Sequence, residues 1–190
     1  MFFMSLQTNF KRSIMNKIIA LLIALAAFAH ANTSLGDSLL TALETGKHAQ
    51  FAKQTKHADT ADLNATNQYG ETPLIIAARE GNVNAIKALF ATNKFGPAQV
   101  KVADVDGNTA LMYAATNNDS TATKLLLSHG AYTQDDIEAK NALKQSAIDI
   151  AKPNAKISDL LQKAIAAYVD SQKPRLEVIT SALPTLSHAH

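Results

Sequence analysis

A motif that recurs every 37 residues constrains the fold of this chain more than any other feature of its sequence. The segment GETPL at 70–74 returns as GNTAL at 107–111, and a weaker copy, KQSAI, follows at 144–148. Paired alanines recur at the same offset, at 77–78 and 114–115. A unit of this length cannot bury its apolar face alone, so repeated units stack and share one continuous core. The sequence therefore predicts a stack of similar units.

The start of each unit has the signals of an amphipathic helix. Thr72 can accept a hydrogen bond from a backbone N–H at the helix start, and Pro73 suits the first helical position, where its missing N–H costs nothing. Leu74, Ala77 and Ala78 then lie on one face of the helix. Because alanine is small, this face is thin and lets a neighbouring helix approach closely.

A second helix is predicted after a tight turn. Gly81 ends the first helix, and Ile86, Leu89 and Phe90 have the spacing of a buried helical face. In the next unit, Gly130 ends a helix that carries consecutive leucines at 125–127. Each unit is therefore expected to be a pair of short helices.

This combination resembles the ankyrin repeat, with G-x-T-P-L-x-x-A-A-x-x-G in the first part of the unit and K-L-L-L-S-H-G-A in the second. The family's repeat is about 33 residues long and consists of a hairpin-like finger followed by two antiparallel helices. The match is clearest over 66–152, and degenerate units extend it to about 37–170. The resemblance implies an all-α fold, an ankyrin repeat solenoid of about four helix pairs.

The period exceeds the family's usual length by about four residues. The extra residues fall after the second helix, at 93–101 and 131–138, and a Gly-Pro pair at 96–97 favours a loop there. We therefore expect long finger loops. Asn118 stands where the family has a mid-repeat glycine, a position that asparagine tolerates because it can adopt the left-handed conformation. Apolar packing has to replace the family's Thr–His hydrogen bonds, since other residues occupy the usual histidine position: Ile75, Met112 and Asp149.

The N-terminal segment, residues 1–31, has the composition of a secretory signal peptide. Three basic residues and no acidic one accompany the uncharged run IIALLIALAAFA at 18–29, and the small-x-small sequence AHA follows at 29–31. This run is too short for a membrane-spanning helix, which needs about 20 residues. We expect cleavage after Ala31 and a periplasmic or secreted product. An uncleaved membrane tether and a buried N-terminal helix are the alternatives, and Met15 is an alternative start.

The remaining chain divides into a repeat domain at 32–172 and a C-terminal tail at 173–190. An amphipathic helix is predicted at 157–169. The tail contains two prolines and no clear helical period, so 176–180 is expected to be extended if it is ordered.

The charge and composition exclude several classes of function. The formal net charge of +2 becomes −1 after cleavage, because three of the 18 basic residues precede residue 32. Nucleic-acid binding is therefore not expected, since it depends on basic side chains that neutralise phosphates. The absence of cysteine excludes disulfides, thiolate zinc sites and a cysteine nucleophile. No phosphate-binding or hydrolase motif is present, so we expect no cofactor, no metal and no catalytic residue.

Three weaker patterns are interpreted as structural. DVDG at 104–107 resembles part of a calcium loop but lacks the ligands at both ends, so it is predicted to be a fingertip. His188 and His190 lie in the tail without further ligands. Ser128 and His129 are not expected to form a catalytic dyad, because adjacent residues on a helix point about 100° apart.

The resemblance implies an interaction module that binds another protein through its fingertips and the ends of its first helices. Tyr69 is the strongest candidate, because an exposed tyrosine offers a large contact area with few torsions to order. We expect a monomeric binding protein that acts as a scaffold, protector or inhibitor, and an enzyme using Asp and His groups is the alternative of another class. The candidate contact residues are Gln68, Tyr69, Glu71, Arg79, Glu80, Val105, Asp106, Asn108, Thr116 and Asn117.

Overall fold

Helices follow one another along the computed structural model, which describes residues 34–130 and 132–182. Four helix pairs are present, α1 with α2, α4 with α5, α7 with α8, and α10 with α11, and this confirms the predicted all-α repeat fold. The expected signal peptide, residues 1–31, lies outside the described residues, as do His188 and His190. The helices are α1 Leu35–Glu44, α2 His48–Gln54, α3 Thr60–Leu63, α4 Pro73–Arg79, α5 Val83–Phe90, α6 Pro97–Val100, α7 Ala110–Thr116, α8 Ser120–Gly130, α9 Gln134–Glu138, α10 Ala147–Ala151 and α11 Ala155–Ala182.

Hydroxyl side chains cap the first helix of each repeated unit. The oxygen of Thr72 accepts a hydrogen bond from the N–H of Ile75 at 3.3 Å, and Pro73 occupies the first position of α4. Thr109 caps α7 in the same way, and Ser146 caps α10 within a reciprocal pair of hydrogen bonds to Asp149. These caps satisfy N–H groups that have no partner inside the helix, which fixes where each unit begins.

The helices form two stacked layers. The first helices α4, α7 and α10 pack on one another in that order, and so do the second helices α2, α5, α8 and α11. The predicted alanine pairs at 77–78 and 114–115 are buried between first helices, and Ile86, Leu89 and Phe90 are buried in α5. Apolar packing does replace the usual histidine at two positions, since Ile75 and Met112 are each 1% exposed.

The extra residues in each unit form short helices, so the expectation of long finger loops is wrong. α3, α6 and α9 lie between one helix pair and the next, and each buries one apolar side chain: Leu63, Val100 or Ile137. Because these three residues are spaced 37 apart, the long period reflects a third, regularly placed helical turn. A buried anchor offsets the entropy of ordering a segment that would otherwise be a loop.

The last helix is longer than the sequence predicts. α11 extends to Ala182, so the expectation of an extended stretch at 176–180 is wrong. Its N-terminal part carries Ile157 and Leu161, which are fully buried, and it packs against α8, α9 and α10. Once this part is docked, each added residue propagates the helix with one further hydrogen bond. The helix continues through Pro174, which removes the N–H that would bond the carbonyl of Asp170.

Candidate functional site

Three tight turns form the fingertips of the stack, at 67–71, 104–108 and 141–145. In each turn, the side-chain oxygen of the first residue accepts hydrogen bonds from the backbone N–H groups two and four residues later, at 2.8–3.1 Å. Asparagine and aspartate are suited to this role because their short side chains reach the following backbone. The first residues of the three turns are Asn67, Asp104 and Asn141.

Backbone hydrogen bonds join neighbouring fingertips into one surface. The N–H of Val105 donates to the carbonyl of Tyr69 at 3.0 Å, and the N–H of Ala142 donates to the carbonyl of Asp106 at 2.8 Å. Gly107 has a φ of +77°, and a Cβ at this position would lie 3.2 Å from the Cα of Asn141. The glycine is therefore required both by its backbone conformation and by the close approach of the next fingertip.

Large apolar side chains project from all three fingertips. Tyr69 is 57% exposed, Val105 70% and Leu143 76%. The first two were predicted as contact residues, and they are exposed as expected. Leu143 was missed, although it stands 74 residues after Tyr69, which is two repeat periods. Exposed large apolar residues are informative when they cluster, because isolated ones are common on any protein surface.

A cleft runs between the fingertips and the ends of the first helices. Its central part is a cavity of about 270 Å³ between the turns 67–71 and 104–108. Cavities of about 420 Å³ and about 200 Å³ lie beside the preceding and following fingertips. The residues that line the central cavity are Tyr69, Glu71, Arg79, Asp104, Val105, Asp106 and Tyr113.

Glu71 was predicted as a contact residue, but its side chain is only 7% exposed. The Oε1 atom of Glu71 lies 2.7 Å from Nε of Arg79, and the two groups form an ion pair without an aligned hydrogen bond. The Oε2 atom of Glu71 accepts a hydrogen bond from Asn67 Nδ2 at 2.8 Å. Arg79 also contacts the exposed Glu80, with 2.9 Å between Nη1 and Oε1. Glu71 therefore positions Arg79 at the cleft and contributes little surface of its own.

Two other predicted contact residues connect neighbouring units. Asn117 Nδ2 donates to the carbonyls of Ala78 and Arg79, both at 2.9 Å, and so caps the preceding first helix. Asn108 is half-buried, and its Oδ1 accepts from Asn141 Nδ2 at 2.7 Å. Gln68, Asp106 and Thr116 are exposed, as the sequence predicts. Of the ten predicted residues, seven line the three cavities, whereas Glu80, Thr116 and Asn117 do not. Glu71, Asn108 and Asn117 hold the frame of the cleft.

Tyr113 is a further cleft residue, which was not among the predicted contact residues. Its ring is half-buried, and its hydroxyl donates to Asp104 Oδ2 at 2.8 Å. Partial burial, together with the bond to Asp104, raises the pKa of Tyr113 to about 12. Its sequence position could have indicated this location, because Tyr113 follows the cap residue Thr109 by one helical turn and so lies near the fingertip residue Asp104.

Ser128 and His129 lie within hydrogen-bond distance of each other, although adjacent residues on a helix point about 100° apart. Ser128 Oγ lies 3.1 Å from His129 Nδ1, but both groups also contact the carbonyl of Leu125. The imidazole stacks on Phe90 with 4.0 Å between ring centroids. Both side chains therefore bond a free carbonyl at the C-terminal end of α8, as polar side chains often do there. Among the described residues, no third polar group is placed to orient His129 as a base for Ser128.

Among residues 34–130 and 132–182, no group of three His, Cys, Asp or Glu side chains is placed to hold a metal ion. Asp104 bonds backbone N–H groups of its own turn, as a fingertip residue does. Over the same residues, no helix is both long enough and apolar enough to cross a membrane.

Comparison with known proteins agrees with this architecture. A search of curated proteins found no significant match. The family model for ankyrin repeats (three copies) matches residues 16–141, which is more than half of the chain. Proteins built from such repeats present extended surfaces to protein partners. The repeated caps, the fingertip turns and this match together show that the chain belongs to the ankyrin repeat family.

Proposed function

We propose that this protein binds a partner protein through its fingertip surface, the exposed face formed by the turns 67–71, 104–108 and 141–145. The observation that carries the proposal is the presence of a large exposed apolar side chain on each successive fingertip. Membership of the ankyrin repeat family supports it, because such modules serve in protein–protein interaction. We do not expect catalysis at this surface.

The fingertip surface is organised before any partner arrives. Each turn is fixed by two side-chain hydrogen bonds to its own backbone, and neighbouring turns are joined by a further backbone bond. Ordering flexible groups is a major cost of association, so a rigid surface retains more of its contact energy as affinity. Tyr69 is suited to an anchor, because its ring buries a large area and only two torsions become ordered.

The proposed role is that of a scaffold, protector or inhibitor of one partner. The test is affinity capture with tagged protein carrying Tyr69→Ala, compared with Lys87→Ala on the exposed outer side of α5. Loss of an anchor residue is expected to weaken capture about tenfold or more, while Lys87→Ala leaves it unchanged. Equal circular dichroism spectra would establish that both variants fold. Full capture by Tyr69→Ala would contradict the proposed face.

We also propose that the protein is exported and that residues 1–31 are removed. The support is the order of a basic segment, a short apolar run and a small-x-small site in the sequence. Release by osmotic shock and an N-terminus at Asn32 are expected. Retention in membranes would favour the uncleaved tether. Because the family match begins at residue 16, N-terminal sequencing also decides whether residues 16–31 remain in the product.

A further inference from the structure

The charges around the cleft are unevenly distributed. Carboxylates line the part of the cleft that is formed by the first three helix pairs. Among the described residues, Arg79 is the one lysine or arginine that lines the cavities of about 420 Å³ and about 270 Å³. Arg79 is itself engaged by Glu71 and Glu80. The cleft over these units therefore carries a clear excess of negative charge. The acidic residues in question are Glu44, Glu71, Glu80, Asp104 and Asp106.

Three of these carboxylates have no ion-pair partner among the residues that the structure describes. Glu44 accepts a hydrogen bond from Asn67 Nδ2 at 3.0 Å, and Asp104 accepts from Tyr113 and from its own turn. Asp106 is exposed at the tip of its turn. None of the three lies within ion-pair distance of a described lysine or arginine. Their negative charge therefore remains available to a partner.

The sign of the charge changes at the fourth unit. Lys144 is exposed in the turn 141–145, while Lys140 and Lys152 both contact Asp149. The apolar side chains continue across this change, from Tyr69 and Val105 to Leu143. The fingertip surface thus presents one exposed large apolar side chain on each turn, and its flank is acidic over the first three units only.

We infer that the occupant of this surface is an extended segment of a partner protein, rich in lysine and arginine where it crosses the first three units. The inference rests on the proposed function and adds the chemistry of the partner. A series of cavities along neighbouring fingertips fits successive side chains of an extended chain. Apolar side chains of the segment pack on Tyr69, Val105 and Leu143, and its basic side chains face the unpaired carboxylates.

The central cavity provides the most specific contact for one basic side chain. Tyr69 and Tyr113 supply aromatic rings, and Asp104 and Asp106 supply carboxylates at the same opening. A guanidinium or ammonium group is attracted both by the negative face of an aromatic ring and by a nearby carboxylate. Because Asp104 is held by its turn and by Tyr113, this part of the site needs no rearrangement to receive a cation.

The test uses three short fluorescent peptides that share a Leu/Ser framework and carry Arg, Gln or Glu at the same positions. Binding to the full chain is measured by fluorescence anisotropy at low and at high salt. An exposed ion pair strengthens affinity by up to about fivefold, so two pairs contribute up to about 25-fold, and we expect the Arg peptide to bind about tenfold more tightly than the Gln peptide. This preference should decrease at high salt, and the Glu peptide should bind least.

Two double variants with reversed charges test whether the preference for the Arg peptide depends on carboxylates of the cleft. The double variant Glu44→Lys/Asp106→Lys is expected to lose the preference for the Arg peptide. The control Asp135→Lys/Glu138→Lys changes the net charge by the same amount at exposed positions of α9, outside the cleft, and should keep the preference. Thermal melts of both variants would establish folding.

Equal binding of the three peptides, binding of none, or an equal effect of both double variants would overturn the basic-segment inference. These results would leave the proposed function standing, because that proposal is contradicted by a separate result, full partner capture by Tyr69→Ala.

Discussion

Truncating Ile137 tests whether the third helical turn of each unit is part of the core. The side chain has no exposed area, and it is the one buried side chain of α9, which packs against α10 and α11. Removing a buried isoleucine to alanine costs about 2–5 kcal/mol, depending on how far the site collapses. Since α9 has only five residues and can shift toward its neighbours, we expect the lower half of that range, about 2–3 kcal/mol.

The measurement is urea unfolding of Ile137→Ala and Ile137→Val, followed by far-ultraviolet circular dichroism. Ile137→Val should cost about 0.5–1.5 kcal/mol, and the melting temperature of Ile137→Ala should fall by about 5–10 °C for a domain of this size. The exposed neighbour provides the control, since Glu138→Ala should change stability by less than about 0.5 kcal/mol. If Ile137→Ala is as stable as the Glu138 variant, the short helices are not docked and the explanation of the repeat length is refuted.

Three further predictions concern the fingertips and caps. Gly107→Ala should destabilise the fold by more than about 1 kcal/mol in urea titrations, because φ is +77° and the added Cβ meets the backbone of Asn141 at 3.2 Å. Ser146→Ala should cost about 1 kcal/mol through loss of a cap, and an unchanged unfolding midpoint would contradict this. Spectrophotometric titration of Tyr113 should give a pKa of about 12, and Asp104→Asn should lower it. Because this folded-state pKa exceeds the ordinary tyrosine value of 10.0, the contribution of Tyr113 to the free energy of unfolding is present below pH 10 and is lost as the pH rises toward 12.

Local signals explain why the four helix pairs could be predicted from the sequence. The caps at Thr72, Thr109 and Ser146, and the turn at Gly81, act on the residues next to them, so their effect is readable without tertiary structure. The short helices were missed because each has a single apolar anchor, which gives no helical period to recognise. The 37-residue recurrence of Leu63, Val100 and Ile137 carries the information, although one apolar residue per unit is a weak signal.

The candidate site could be predicted in outline only. The resemblance located the fingertips, and exposure of Tyr69 and Val105 follows from their place at the tips. Burial of Glu71 depends on Arg79, eight residues away on the same unit, and the role of Asn117 depends on carbonyls of the preceding unit. These contacts form only when the chain folds and the units pack on one another, so the sequence of a single unit does not predict them.

Site-specific photocrosslinking tests the central claim most directly. A photoreactive amino acid replaces Val105, which is 70% exposed on the middle fingertip, or Lys87, which is exposed on the outer side of α5. Illumination in native cells should join position 105, and not position 87, to one protein, and mass spectrometry should place the linkage in a segment rich in lysine and arginine. Crosslinks at position 87 with none at position 105 would contradict the claim that the fingertip surface binds the partner.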